Sequence, residues 1–280
     1  HGAKGYSRAW LLLVVTARAV RPRLMELDPQ RISQREKLIL AGLYLSKYDS
    51  AGLRRLGLES FTEAFNAIGY AIGSKPASVK NYRDEFDPIF PNRRKGWHKR
   101  ETRAYCMKIL EQYKRLDLET FTGLVKSFVG IDENTWSQFR PGRHGDRQPQ
   151  SNFAQRLITG LAAEKYFESI HPTLSEFAAY GLQNTTQLGC GYDFRLESVA
   201  GDENFLAIEV KGLSDQTGSV AFTPKEHQVA SVLKSRFFLF VVKNFREKPY
   251  HEVFQNPLSS KLQFKRMERM AVQLSWVTKL

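Results

Sequence analysis

Two apolar runs joined by a short polar turn restrict the fold of this chain more than any other feature. Residues 189–197 read Gly-Cys-Gly-Tyr-Asp-Phe-Arg-Leu-Glu, residues 198–204 form a mostly polar turn, and residues 205–212 read Phe-Leu-Ala-Ile-Glu-Val-Lys-Gly. Strand side chains alternate between faces. Leu206, Ile208 and Val210 therefore share one face, while Ala207, Glu209 and Lys211 share the other. A carboxylate and an ammonium stand two residues apart on an otherwise apolar strand. Buried charge is costly unless it is paired or binds a metal ion, so the pair marks a candidate site.

Asp193 followed by Glu209-x-Lys211 resembles the Asp…(Asp/Glu)-x-Lys signature of the PD-(D/E)XK nuclease superfamily. Gly191-Tyr-Asp193 with Ile208-Glu-Val-Lys-Gly212 is similar to the NO VEIN C-terminal domain, over roughly residues 153–257. Tyr192 stands where the superfamily name has proline; the metal ligand is the aspartate. The resemblance implies an α/β domain with a restriction-endonuclease-like αβββαβ core. It implies Mg²⁺, with Mn²⁺ as a substitute, bound by Asp193 and Glu209. Glu164 would orient a water or help hold a second ion, and Lys211 would position the attacking water.

The flanking segments fit that order. Residues 151–170 read as a helix capped by Ser151 or Asn152, with Phe153, Leu157, Ile158 and Leu161 on its apolar face. Glu164 falls on that face, two turns after Leu157. An acid there is a poor choice for packing alone, and Gly160-Leu-Ala-Ala-Glu164 resembles the family stretch that carries the first acid. Glu168, one turn on, is the fallback, and an ordinary exposed helix glutamate is the competing reading. Thr223-Pro-Lys-Glu226 has the form of a capping box with proline at the first helical position. Glu226 thus has a structural task, and the resemblance adds a place near the site. Residues 236–242 are a nearly unbroken apolar strand of the kind covered on both faces. Residues 253–258 and 262–276 are expected to finish and cover the sheet.

The first half reads as helical. Asp28-Pro is a plausible cap before a stripe of Ile32, Leu38, Ile39, Leu43 and Leu45. Residues 60–72, a Gly-Ser-Lys-Pro turn and residues 77–86 form helix, turn, helix. Ser78, Lys80, Asn81 and Arg83 on the second helix suit phosphates and base edges; a plain helical hairpin with a solvated face is the alternative. Residues 92–103 are densely basic around an aromatic, so Arg93, Arg94, Lys95, Trp97, Lys99 and Arg100 are expected to contact nucleic acid. Helices at 101–115 and 118–128 follow. Residues 138–150 have linker composition. The expected division is therefore 1–137, a basic helical DNA-binding domain; 138–150, a linker; and 151–280, the nuclease-like domain.

Charge supports this division. The net charge is +13, and residues 1–150 hold 27 Lys and Arg against 16 Asp and Glu, while residues 151–280 hold 15 against 13. A basic half beside a near-neutral half suits one part that holds a polyanion and another that acts on it. Cys106 and Cys190 are too few for a disulfide framework or a cysteine zinc site, which points to a reduced, cytoplasmic setting. Residues 9–16 are read as a short helix or strand, or as residues upstream of a start at Met25. The absence of Walker A, G-x-G-x-x-G, H-E-x-x-H and G-x-S-x-G sequences leaves no sign of a nucleotide cofactor. The expectation is a Mg²⁺-dependent endonuclease of restriction or phage-defence type, acting on double-stranded DNA as a homodimer, without a membrane partner. A non-catalytic nucleic-acid-binding protein on the same fold and an RNA or tRNA nuclease are the alternatives.

Overall fold

The computed structural model describes residues 31–130, 150–198 and 205–268, with backbone alone for residues 150–153. The Asp28 cap, residues 9–16, Met25, all but the last residue of the 138–150 linker, most of the 198–204 turn and the end of the 262–276 segment lie outside these residues.

Among the described residues, five helices form the first part: α1 (Gln34–Leu56), α2 (Phe61–Ala71), α3 (Pro76–Phe86), α4 (Ala104–Tyr113) and α5 (Leu118–Phe128). α1 is capped by Ser33, whose hydroxyl accepts from the Glu36 N–H while Glu36 reaches back to the Ser33 N–H. The Ser-x-x-Glu spacing was present in the sequence and is a stronger start signal than Asp28-Pro. The helix breaks its regular geometry at Asp49, where φ is 49°. α2 and α5 are capped by Ser60 and Asp117.

The second part runs α6 (Gln150–Ile170), β1 (Tyr180–Asn184), β2 (Phe194–Ser198), β3 (Phe205–Gly212), α7 (Pro224–Leu233), β4 (Phe237–Lys243) and β5 (Tyr250–Gln255). The strands form one mixed sheet in the order β1-β2-β3-β4-β5. β3 and β4 are parallel and the other pairs antiparallel. A parallel pair needs a crossover, and α7 provides it. β4 is buried from Phe237 to Val242, as an inner strand covered on both faces must be. The last strand starts three residues before the expected 253–258. Residues 262–268 take no regular form, although the Phe264 ring lies against Phe222, with centres 4.8 Å apart.

The alternation read along β3 holds. Ile208 and Val210, with partly buried Leu206, join the core that contains Ile158, Ala162 and Phe167 of α6. Ala207 faces the other way, into a small cluster with Ala230 of α7 and Phe237. α6 and α7 therefore cover opposite faces of the sheet. The larger core continues without a break into α1, α2 and α5. Polar ties cross the same seam. The Asn66 amide donates to the carbonyls of Phe245 and Glu247 at 2.7 and 2.9 Å, and Gln155 donates to Glu63 at 2.7 Å. The helical part and the sheet thus pack as one body rather than as independently cored units.

Candidate active site

A glycine sets the position of the first acid. Gly191 has φ +87°, a conformation that side chains rarely adopt, and a Cβ there would lie 3.0 Å from Val229 of α7. The loop passes close under α7 and enters β2 immediately after Asp193. The Asp193 N–H donates to the Ile208 carbonyl at 3.0 Å, and Asp193 Oδ2 accepts the Val210 N–H at 2.8 Å. The carboxylate is thereby fixed beside Glu209 on the neighbouring strand.

Glu209 is buried, and its Oε1 accepts from Lys211 Nζ at 2.5 Å. The same ammonium donates to Glu226 Oε2 at 3.2 Å. That oxygen also accepts the Thr223 N–H at 2.8 Å, closing the capping box of α7. Glu226 therefore holds the helix start and the lysine together. Gly212 lets α6 approach the end of the strand, since a Cβ there would fall 2.5 Å from the Thr159 carbonyl oxygen.

Negative charge is penalised throughout this cluster. Burial, then the Asp193 charge, pushes Glu209 up to about 9, against the pull of Lys211. Burial pushes Asp193 up to about 6, although the Val210 N–H and Lys211 favour its ionised form. Burial pulls the Lys211 ammonium down, but Glu209 and Glu226 outweigh it and hold the group above its ordinary value. Acids held in their neutral form by burial and by one another are relieved by a cation. The donor chemistry fits a hard divalent ion, which needs only one or two carboxylates besides water and phosphate oxygens.

Glu164 joins this cluster through its charge rather than by contact. Burial, then the Asp193 charge, raises it to about 7. Its side chain lines a separate cavity of about 500 Å³ between α6 and the turn at Thr186–Leu188. Among the described residues, no three His, Cys, Asp or Glu side chains form a preassembled metal cage. The expected ligand trio thus resolves into a pair, Asp193 and Glu209, with Glu164 on the helix that covers the other face of the sheet. The fallback acid, Glu168, is occupied by Lys165 and Asn184.

The expected nucleic-acid contacts divide sharply. Arg83 is buried, pairs with Asp84 and Asp87, and lies over the rings of Phe61 and Phe65. Arg94 grips Asp87 with two nitrogens and reaches Asp49 with a third contact at 2.8 Å. Arg100 and Arg103 pair with the buried Glu85, and both guanidinium groups lie against the Trp97 ring, at 4.5 and 5.1 Å from its centre. Arg83 therefore ties α3 to α2, and Arg94 holds the loop onto the helices. Arg93, Lys95 and Lys99 are exposed, as is Asn81; Lys80 is exposed but paired with Asp84, and Ser78 is half-buried beside Ser74. The sequence shows ten acidic residues from 49 to 119 among these cations, which was the available signal that some arginines would turn inward.

A mixed sheet between two helices, with a carboxylate pair and a lysine at the end of its inner strands, defines an α/β domain with a candidate catalytic centre. Residues 164–255 match a family model described as the C-terminal part of Protein NO VEIN. The matched stretch begins at Glu164, ends with β5, and contains Asp193, Glu209, Lys211 and Glu226. No curated protein and no solved structure matches the chain. Among the described residues, no helix is long and apolar enough to cross a membrane.

Proposed function

We propose that this chain is a Mg²⁺-dependent endonuclease that hydrolyses DNA phosphodiester bonds, of restriction or phage-defence type. The observation that carries the reading is Asp193 and Glu209 side by side at one strand end, with the Lys211 ammonium 2.5 Å from Glu209. The order helix, three strands, helix, strand is the one expected of a PD-(D/E)XK core, and the match to the NO VEIN C-terminal model supports the same reading.

Asp193 and Glu209 would hold Mg²⁺, which when bound supplies charge relief on the phosphate and activation of water. Asp193 is suited to this because the Val210 N–H fixes one of its oxygens and holds the carboxylate in place. The ammonium of Lys211 can orient the attacking water and stabilise the charge that develops on the phosphate oxygens. Glu226 keeps that ammonium in place. The exposed cations Arg93, Lys95 and Lys99 draw the polyanion to the surface.

The test is supercoiled plasmid with Mg²⁺, comparing wild type with Lys211→Ala. Cuts lost in the variant, with DNA binding retained, support the reading. Equal cutting by both proteins rejects the site. Binding without cutting by either protein favours a non-catalytic nucleic-acid-binding protein. Sequencing the cut ends on unmodified and methylated DNA then tests the restriction-type role.

A further inference from the structure

Glu164, whose charge acts on Asp193, also lines a cavity that the chemistry above does not otherwise use. Lys165 donates to Glu168 at 2.6 Å, and Asn184 donates to the other Glu168 oxygen at 2.9 Å. Asn184 Oδ1 in turn accepts from Thr186 N at 3.1 Å and from Thr186 Oγ1 at 2.7 Å. This chain of bonds locks α6 to the turn and engages Lys165 and Asn184. The amide of Gln187, the carboxyl of Glu164 and two leucines, Leu161 and Leu188, are left to meet a ligand. Leu188 is 67% exposed at the rim.

That lining selects against phosphate. Its one cation, Lys165, is already paired with Glu168, and the Glu164 carboxyl offers an anion no positive charge. Two leucines beside an amide, in a lining that is otherwise polar, suit a flat, uncharged heterocycle with hydrogen-bonding edges. The cavity also adjoins the catalytic loop, because Thr185 N donates to the Asp193 carbonyl at 2.8 Å and Thr185 Oγ1 to the Tyr192 carbonyl at 3.1 Å.

We propose that this cavity receives one nucleobase of the substrate strand, turned out of the stack beside the phosphate at Asp193 and Glu209. The inference rests on the nuclease reading above and deepens it. Leu161 and Leu188 cover the faces of the base, and Gln187 meets its edge. A base in a perfect duplex must first be unpaired and unstacked, whereas an unpaired one enters at less cost. The preferred substrate is therefore DNA with an unpaired nucleotide.

Fluorescence anisotropy in Ca²⁺ tests this with two labelled duplexes, one fully paired and one carrying a single unpaired nucleotide. Wild type is expected to bind the second about tenfold more tightly. Leu188→Asp changes an exposed position and is expected to bind both duplexes at the wild-type affinity for the paired one. Gln187→Ala, which removes only the edge contact, is expected to lose part of the preference. Equal binding of both duplexes by wild type, or an undiminished preference in Leu188→Asp, overturns the pocket. The same probes made of RNA identify the strand: tighter RNA binding with the same Leu188 dependence keeps the pocket and assigns it an RNA base. The readout requires no cutting, so a preserved preference without Mg²⁺-dependent cleavage would remove the nuclease reading alone.

Discussion

The backbone N–H of Val210 donates to the carboxylate of Asp193 at 2.8 Å, across the gap between β2 and β3. The bond ties an acid at the end of one strand to the residue between Glu209 and Lys211 on the next. It makes the placement of the carboxylate pair a property of strand pairing rather than of flexible side chains. A site built on rigid elements keeps its geometry without help from the ligand.

Raised acids give this fold a specific pH response. Glu164 is held to about 7 and Asp193 to about 6, whereas unfolded carboxyls ionise near pH 4. Between those limits the unfolded chain has released protons that the folded chain retains. The stability these groups allow is therefore full below about pH 4 and falls as pH rises toward 7. Without metal, Glu164→Gln is expected to melt with wild type at pH 4. At pH 8 it should melt on the order of 5 °C higher, for a gain of roughly 2 kcal/mol. Calorimetry at the two pH values checks this, and an equal offset at both would refute the assignment.

Glu226 serves both a helix cap and a lysine, and two substitutions separate these roles. Thr223→Ala removes the cap hydroxyl and should cost about 1 kcal/mol, with cleavage unchanged once the protein is folded. Glu226→Gln should cost stability and also slow cleavage about tenfold or more by freeing the Lys211 ammonium. Denaturation midpoints and initial rates measured on both variants decide between a structural and a combined role.

Gly212 is required by the approach of another element. A Cβ at this position would lie 2.5 Å from the Thr159 carbonyl oxygen, too close for any relaxation short of moving α6. Gly212→Ala is expected to destabilise by about 2 to 4 kcal/mol, the scale of overpacking and backbone displacement. Urea denaturation measures it, and a loss under half a kilocalorie would show that α6 shifts freely.

Inward and outward cations should behave differently. Arg94→Ala leaves Asp87 buried without its two-nitrogen partner and should cost roughly 3 kcal/mol. Lys95→Ala combined with Lys99→Ala should leave the melting temperature unchanged. It should weaken DNA binding and reduce the salt slope by about two, one per lost phosphate contact. Melting curves and salt-dependent binding titrations on both variants test the distinction.

Local rules fixed much of this protein in advance. The period of two along residues 205–211 predicts which face carries Glu209 and Lys211, because alternation follows from strand geometry alone. Thr223-Pro-Lys-Glu226 and Ser60 announce their helices because caps act within one turn. What such rules could not supply is the destination of groups that pair over long distances. Arg83 and Arg94 look the same as Arg93 in the chain, and only folding shows that two of them answer buried acids. Glu164 lies on the anticipated face of its helix, yet it opens into a cavity instead of closing a trio with Asp193 and Glu209, because α6 and α7 cover opposite sides of the sheet. The seam through Asn66 and Phe245 was equally invisible, since residues far apart in sequence become neighbours only when the core closes. Secondary structure is written in short-range sterics and periodicity; ion pairing, cavities and the joining of the two halves depend on contacts that exist only in three dimensions.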